Sequence, residues 1–324
     1  MTQTQLTQLE NRLQKQLIKL FHDSSLPNHF NHYGNKEFTN YQRISLIVLF
    51  RKSKKSIRDF LEELAETKWP SWLDLKNIPG RSTFHDWLMF FGTALIRKLI
   101  NLITDTSDLK IAAIDGTGIQ SNFRSPYYEK RRKDFKLKTN RPYSKLDIIV
   151  DTFGKKQILD YSFLLKNRHD SFVAKKLLKK IKFRRCKILA DKGYPSYDFI
   201  DLSKTKQNNF ISPPKNYCGK CRHDNIKRRR KEANYNSNKH IYNRRPIVES
   251  IISSIKRVQD PKLRSQLPYM KKREMAWHVL LYNIRMNVKF ETNNLESTQT
   301  QICYFFVLVV VFVIPDRAMK PENL

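Results

Sequence analysis

Two apolar runs in this chain of 324 residues each finish on an aspartate: "IAAID", ending at Asp115, and "KILAD", ending at Asp191. A glycine follows each within two positions. Short apolar runs bounded this way read as buried strands, and in open α/β sheets function gathers at the carboxyl ends of strands. If the two strands are parallel neighbours, both carboxylates emerge at one edge of the sheet. Such a pair suits Mg²⁺, which takes hard oxygen ligands, commonly one or two carboxylates together with phosphate oxygens. Metal ions so held can activate a nucleophile and stabilise a leaving oxygen in phosphodiester chemistry. Taken singly, either aspartate is better explained as the cap of a turn after a strand.

A third carboxylate lies in "YNRRPIVESIISSIKR", residues 242–257. Pro246 fits the first position of a helix, so the spacing predicts a helix over 246–257. At about 100° per residue, Ile247, Val248, Ile251, Ile252 and Ile255 fall within an arc of about 140° and form the core face. Glu249 and Lys256, seven residues apart, lie about 20° from each other and off that arc. Arg245 and Tyr242 stand just ahead of the same end. Glu249 is thus placed to complete a metal site, with the neighbouring cations gripping phosphate oxygens. The plainer alternative is an amphipathic helix with a solvated glutamate and lysine.

The elements that must carry these residues are legible in outline. "KLDIIVDTFGKKQILDYSFL" (145–164) reads as two strands joined at "TFGKK". "SFVAKKLLKKI" (171–181) is an amphipathic helix, for which Asp170 would be the N-cap. "NNFISPPK" (208–215) is a short strand stopped by two prolines, and 216–241 is basic and turn-rich. Strands interspersed with helices imply an α/β domain with a partly parallel sheet. Residues 1–105 read as helical. "GRSTFHDWLMFFGTALIRKLINLI" (80–103) is one helix capped by Ser82 or Thr83. Short helices with tight turns allow a helix-turn-helix, with "RSTFHDWL" opening the helix that enters a groove, or else a plain supporting bundle. The four tryptophans sit in apolar helical contexts and read as core.

The charge names the class of partner. Lys and Arg total 62 against 30 Asp and Glu, a formal net charge of +32. A field of that sign implies a polyanion, of which nucleic acid is the commonest. "YYEKRRKDFKLK" (127–138) and "CRHDNIKRRRKEANYNSNK" (221–239) mix basic residues with aromatics, as phosphate-contacting segments do. Neither G-x-G-x-x-G nor G-x-x-x-x-G-K-[ST] occurs, which removes the nucleotide-binding α/β enzymes. The four cysteines form no framework, so a reducing, cytoplasmic compartment is expected. Cys218, Cys221 and His223 in "CGKCRH" lack a second ligand pair apart from His240, so zinc is not expected. From 291 the chain turns polar and reads as unstructured. The apolar run 302–314 that follows is shorter than the roughly 20 residues of a membrane span. This tail is expected to lie outside the core, as a read-through past the usual end of the reading frame would.

The spacing Tyr242-x2-Arg245-x3-Glu249-x6-Lys256 resembles, without a gap, the Y-x2-R-x3-E-x6-K signature of the DDE transposases of bacterial and archaeal insertion sequences, the IS-four-type group and its relatives. "AIDGTG" around Asp115, "NRHDS" (167–171), "ADKGYPS" around Asp191 and "ISPPKN" (211–216) are similar to the same family. So are "EMAWHVLLYNIRMNVKF" (274–290), with its Tyr-Asn pair, and "IPGRSTFHDWL". The resemblance covers roughly residues 40–290. It implies an α/β, ribonuclease-H-like mixed sheet with flanking helices over 106–290, preceded by a helical DNA-binding region over 1–105 and followed by the tail, 291–324. It implies Asp115, Asp191 and Glu249 as a catalytic triad holding Mg²⁺, with Mn²⁺ able to substitute. Tyr242, Arg245 and Lys256 would position the DNA backbone, and His169 and Asp170 would support the site. It further implies binding of double-stranded DNA at terminal inverted repeats, cleavage there and strand transfer to target DNA. The enzyme would work on the nucleoid, away from membranes, as a homodimer or larger synaptic assembly. A catalytically inactive DNA-binding derivative, or a metal-dependent nuclease without strand transfer, would share much of this pattern.

Overall fold

The computed structural model describes residues 3–30, 36–120, 143–165, 168–194, 197–214, 225–258 and 263–313. The apolar runs of the central region assemble into one five-stranded sheet: β1 (Ile111–Gln120), β2 (Tyr143–Asp151), β3 (Ile158–Leu164), β4 (Lys187–Ala190) and β5 (Asn209–Ile211), in the order β3-β2-β1-β4-β5. β1, β2 and β3 are antiparallel neighbours, whereas β4 and β5 run parallel to β1. This is the mixed, ribonuclease-H-like arrangement. "IAAID" and "KILAD" are parallel neighbours, which meets the condition under which both aspartates emerge together, with Ile111 opposite Lys187 and Ile114 opposite Ala190. The expectation that Asp115 ends its strand is corrected. β1 continues to Gln120 because β2 still pairs with it on the other side, with Asp115 opposite Ile148 and Gly118 opposite Lys145. Only the β4 partner stops at that level.

Each face of the sheet has its own cover. α7 (Asp170–Lys180) and α8 (Tyr197–Thr205) lie on one side, where Val173, Ala174, Leu177 and Leu178 pack on Ile114, Ile149 and Ile188. The other face carries α11 (Pro246–Val258), α12 (Pro268–Val313) and the N-terminal helices. These are α1 (Gln3–Ser24), α2 (Asn40–Ser53), α3 (Ile57–Ala65), α4 (Trp69–Trp72), α5 (Arg81–Phe90) and α6 (Thr93–Ile103). A single apolar cluster runs from Leu17 in α1 through Ile47, Phe84 and Leu99 to Ile148 in β2 and Trp277 in α12. The N-terminal helices therefore share a core with the sheet. Trp69, Trp87 and Trp277 are buried in it, as expected, and Trp72 packs against it.

Side-chain caps set the starts of two N-terminal helices. Thr39 and Gln42 form a reciprocal capping box at the start of α2, and Ser56 caps α3. The single helix expected over 80–103 is instead two. Gly80, not Ser82 or Thr83, is the N-cap of α5, and the chain turns extended at Phe91 before Gly92 starts α6. The break buries Phe91, whose ring meets Trp277 edge-on at 6.1 Å. The segment expected to be turn-rich is helical over α9 (Asn225–Ser237), followed by the single turn α10 (Lys239–Tyr242). Straight-chain Lys, Arg and Glu in "IKRRRKEA" outweigh the flanking Asn and Ser. The tail is not structureless either: α12 continues unbroken to Val313, since "ETNNLESTQTQ" holds neither glycine nor proline. Its first residues, Glu291 and Thr292, bond to Gln16 and Arg12 of α1. Among the described residues no helix is long and apolar enough to cross a membrane.

α12 also holds the start of the edge strand β3. Asn283 is fully buried; its carbonyl oxygen accepts the Ile158 N–H at 2.9 Å and its amide donates to the Ile158 carbonyl at 2.9 Å and to Thr104 Oγ1 at 3.0 Å. Tyr282 Oη donates to the Lys156 carbonyl at 3.2 Å. The Tyr-Asn pair thus satisfies the backbone groups of Ile158 at the start of this edge strand and the Lys156 carbonyl just before it.

Candidate active site

Asp115 enters the site from the middle of β1 and Asp191 from the first position after β4. Because Ile114 pairs with Ala190, the next residue of each strand is level with the other. Glu249 comes from the first turn of α11, which packs on β1 through Val248, Ile251, Ile252 and Ile255, all buried. The amphipathic reading of this helix therefore holds, with Glu249 on its exposed side. Arg245, one residue before α11, links two of the carboxylates. Its Nη2 donates to Asp115 Oδ2 at 3.0 Å and its Nη1 to Glu249 Oε1 at 2.5 Å. Arg245 Nε is buried and has no hydrogen-bond partner among the described residues.

The electrostatics bind the same residues together. Burial raises the pKa of Asp115; Gly116 N–H, 2.8 Å from Asp115 Oδ1, and Arg245 pull it back, while Glu249 and Asp191 add to the rise. Burial works against the charge on Arg245, but Asp115, Glu249, Tyr242 and Asp191 more than offset it and hold the guanidinium protonated. Three carboxylates thus act on one cation. As the side chains stand, no three carboxylate, imidazole or thiol groups among the described residues converge closely enough to chelate a metal ion. The cation that Asp115 and Glu249 share is the Arg245 guanidinium. Hard oxygens at one sheet edge, already neutralising a positive charge, are a donor set that fits a divalent ion.

Of the other residues singled out in the sequence, Tyr242 is brought in and two are not. Tyr242 Oη donates to the Ala190 carbonyl at 3.4 Å, immediately before Asp191, and its ring meets Tyr235 of α9 edge-on at 5.2 Å. Burial, partly opposed by Arg245, pushes the phenol up to about 12, so it stays a donor. Lys256 is exposed near the far end of α11, almost two turns beyond Glu249. His169 caps α7, its Nδ1 accepting Ser171 N–H at 3.3 Å. That displaces Asp170 from the expected N-cap position into the first turn, where it turns back towards the sheet. Cys218, Cys221, His223 and the basic segment 127–138 lie outside the described residues.

Behind the site is a set of polar residues that the sequence reading passed over. Lys145 and Asp147 alternate on β2, and both side chains are almost wholly buried. Lys145 Nζ lies 3.4 Å from Asp147 Oδ1, donates to the Arg168 carbonyl at 2.7 Å and bonds to Asp170. Tyr194 Oη donates to Asp147 Oδ1 at 3.4 Å. Burial pushes Asp147 up to about 7, against the pull of Lys145. The available signal was the pattern "KLD": two opposite charges at strand spacing in a run that is otherwise apolar on both faces.

Comparison with known proteins places the chain. No curated protein matches it. Solved structures similar to it include one described as the cryo-EM structure of the piggyBac transposase synaptic complex with hairpin DNA. The match has 12% identity and a TM-score of 0.30, covering 96% of this chain and 84% of that one. At that score the likeness bears on neither fold nor function. The model of the transposase DDE domain, by contrast, matches residues 106–284, more than half of the chain and the whole of the sheet, with Asp115, Asp191 and Glu249 inside it. The chain belongs to the DDE transposase family.

Proposed function

We propose that this transposase cuts DNA at the ends of the element that encodes it and joins the freed 3′-OH to target DNA, with Asp115, Asp191 and Glu249 as its catalytic carboxylates. The observation that carries this reading is the shared cation: Asp115 and Glu249, 134 residues apart in sequence, converge on Arg245, and Asp191 stands level with Asp115 across the parallel strand pair. The same three carboxylates would hold Mg²⁺, or Mn²⁺ in its place, which would supply a polarised phosphate and an activated hydroxyl. Zinc has no role in this reading.

The chain's own residues supply the rest. Arg245 lies at the carboxylates with a buried Nε–H still free of a partner among the described residues, and guanidinium is the group best shaped for phosphate oxygens. Arg245 would grip the DNA backbone beside the scissile phosphate. Tyr242 would steady the end of β4 through the Ala190 carbonyl, and Lys256, exposed in the last turn of α11, would meet the DNA backbone away from the carboxylates. His169 fixes the start of α7. The DNA-binding region of residues 1–105 would act through α3–α5, where Arg81, Ser82, Thr83, His85 and Asp86 are exposed on α5. α1, α2 and α6 are committed to the common core with α12. Pairing of two element ends calls for a dimer or larger assembly on double-stranded DNA.

The test is incubation of the protein with DNA carrying the gene's own flanking ends. Cleavage and joining are expected only with Mg²⁺ or Mn²⁺, and Asp191→Ala is expected to reduce both to background. Undiminished joining by Asp191→Ala would overturn the assignment.

A further inference from the structure

The buried group on the opposite face of the sheet has no place in the reaction just described, yet its contacts lead to both strand-borne aspartates. Lys145 and Asp147 sit on β2, with Asp147 opposite Gly116, the residue after Asp115. Asp147 has no exposed side-chain surface, and its Oδ2 has no partner among the described residues. A methyl group at Gly116 would lie 2.5 Å from Asp147 Oδ1 and 3.1 Å from Tyr194 Oη, so only glycine lets the two close beneath it. On the other side, a methyl at Gly193 would lie 3.5 Å from Asp170 Oδ2 and 3.9 Å from Asp191 Oδ2. The turn that follows β4 is itself tied, with Tyr194 N–H donating to the Asp191 carbonyl at 3.1 Å.

A buried ammonium shared between two carboxylates is costly to desolvate, and removing one partner leaves the others uncompensated. Here the ammonium ties β2, through Asp147, to the start of α7, through Asp170 and the Arg168 carbonyl, and Asp147 in turn takes the bond from Tyr194 at the end of the turn 191–194. Neither Lys145 nor Tyr194 reaches the side of the sheet where Arg245 and Glu249 stand. We propose that Lys145, Asp147 and Tyr194 are positioning residues for the transposition reaction, bracing the Asp191 turn against Gly116 so that Asp115 and Asp191 keep the separation a divalent ion requires. This inference rests on the metal-holding role proposed above for the two aspartates.

Partners behind metal-holding groups typically change metal affinity by roughly 10- to 100-fold when removed. The test is titration of the full chain with Mn²⁺, following the free ion by electron paramagnetic resonance, alongside element-end cleavage. Tyr194→Phe keeps the ring and loses only the hydroxyl; Lys145→Met keeps the length and loses the charge. Both are expected to bind Mn²⁺ about tenfold or more weakly and to need correspondingly more Mn²⁺ for half-maximal cleavage. Binding of element-end DNA without metal should be unchanged. If Lys145→Met fails to fold, Tyr194→Phe decides. Wild-type Mn²⁺ affinity in a folded Tyr194→Phe protein would overturn the brace. Asp191→Ala separates the two ideas. If it abolishes Mn²⁺ binding while Tyr194→Phe leaves binding intact, only the brace fails; if it too leaves binding intact, the metal assignment fails and the brace with it.

Discussion

Replacing Glu249 with glutamine is expected to abolish cleavage and joining while leaving DNA binding at or slightly above the wild-type level. The substitution keeps the size of the side chain and an oxygen that can accept from Arg245, but it removes a charge from a set of three carboxylates. Members of a cooperating catalytic set are lost on a scale of about 10³-fold or more when one is removed. Binding responds differently. Glu249 is exposed and negatively charged beside Arg245, so taking its charge away weakens no attraction to DNA. Single-turnover cleavage and a gel-shift titration on the same end fragment measure the two quantities. A variant that cleaves at the wild-type rate would remove Glu249 from the reaction. One that loses DNA binding in proportion to cleavage would make it a structural residue of α11.

The second large effect is on stability, at the seam between the N-terminal helices and α12. Arg51, at the end of α2, donates to Glu274 Oε1 at 3.2 Å, and both side chains are buried. Glu274 also accepts the N–H groups of Arg264 and Ser265, at 3.1 Å and 2.9 Å. Arg264 in turn donates to the carbonyls of Lys54 and Lys55. Glu274→Ala would leave the Arg51 charge buried and unpaired together with two backbone donors. Breaking a buried pair from one side costs about 3–5 kcal/mol, against a total stability of about 5–15 kcal/mol for a typical domain. Urea denaturation should show a loss of that size, and a loss under about 1 kcal/mol would mean that water reaches the pair.

The same cluster sets a pH dependence. Burial, reinforced by Arg51 and Arg264, pushes the neighbouring His278 down to about 3, so it stays neutral in the fold. Burial works to raise Glu274, but Arg51 and the bonds from Ser265 and Arg264 outweigh it and hold the carboxyl below its ordinary value. Both signs agree. The unfolded chain takes up protons at His278 from about pH 6.5 downward and at Glu274 from about pH 4.3, before the folded chain does. The contribution of these two groups, read by urea denaturation of wild type against Glu274→Ala across the pH range, is therefore expected to be full above about pH 6.5 and to fall progressively below it, while Asp147, which burial raises to about 7, works in the opposite direction.

How far the sequence announced this molecule depended on whether a feature was local. The strands β1 and β4 and their aspartates were legible because "IAAID" and "KILAD" are alike, short and apolar, but their pairing stayed a condition until the register was seen. The helix carrying Glu249 was legible from Pro246 and the spacing of its isoleucines. The continuation of β1 beyond Asp115 was not, because it is imposed by β2 from across residues 121–142. Nor was the break at Phe91, which is set by burial against Trp277, a residue far along the chain. α9 was hidden by its three asparagines and Ser237, and the tail's helix by its polarity, although neither segment contains a helix breaker. The brace of Lys145, Asp147 and Tyr194 was the hardest to see. Charges in a strand ordinarily mark a solvated face, and only the tertiary fold shows that α7 and the 191–194 turn cover this one.

The account turns on whether Asp191 holds a metal ion during the chemistry, and Asp191→Cys tests that directly. Mg²⁺ is a hard cation that takes oxygen ligands, whereas Mn²⁺ also accepts sulfur. Strand transfer of an element end by Asp191→Cys is predicted to be at background in Mg²⁺ and to recover in Mn²⁺, with the wild-type protein active in both. Equal activity of Asp191→Cys and wild type in Mg²⁺ would contradict the account.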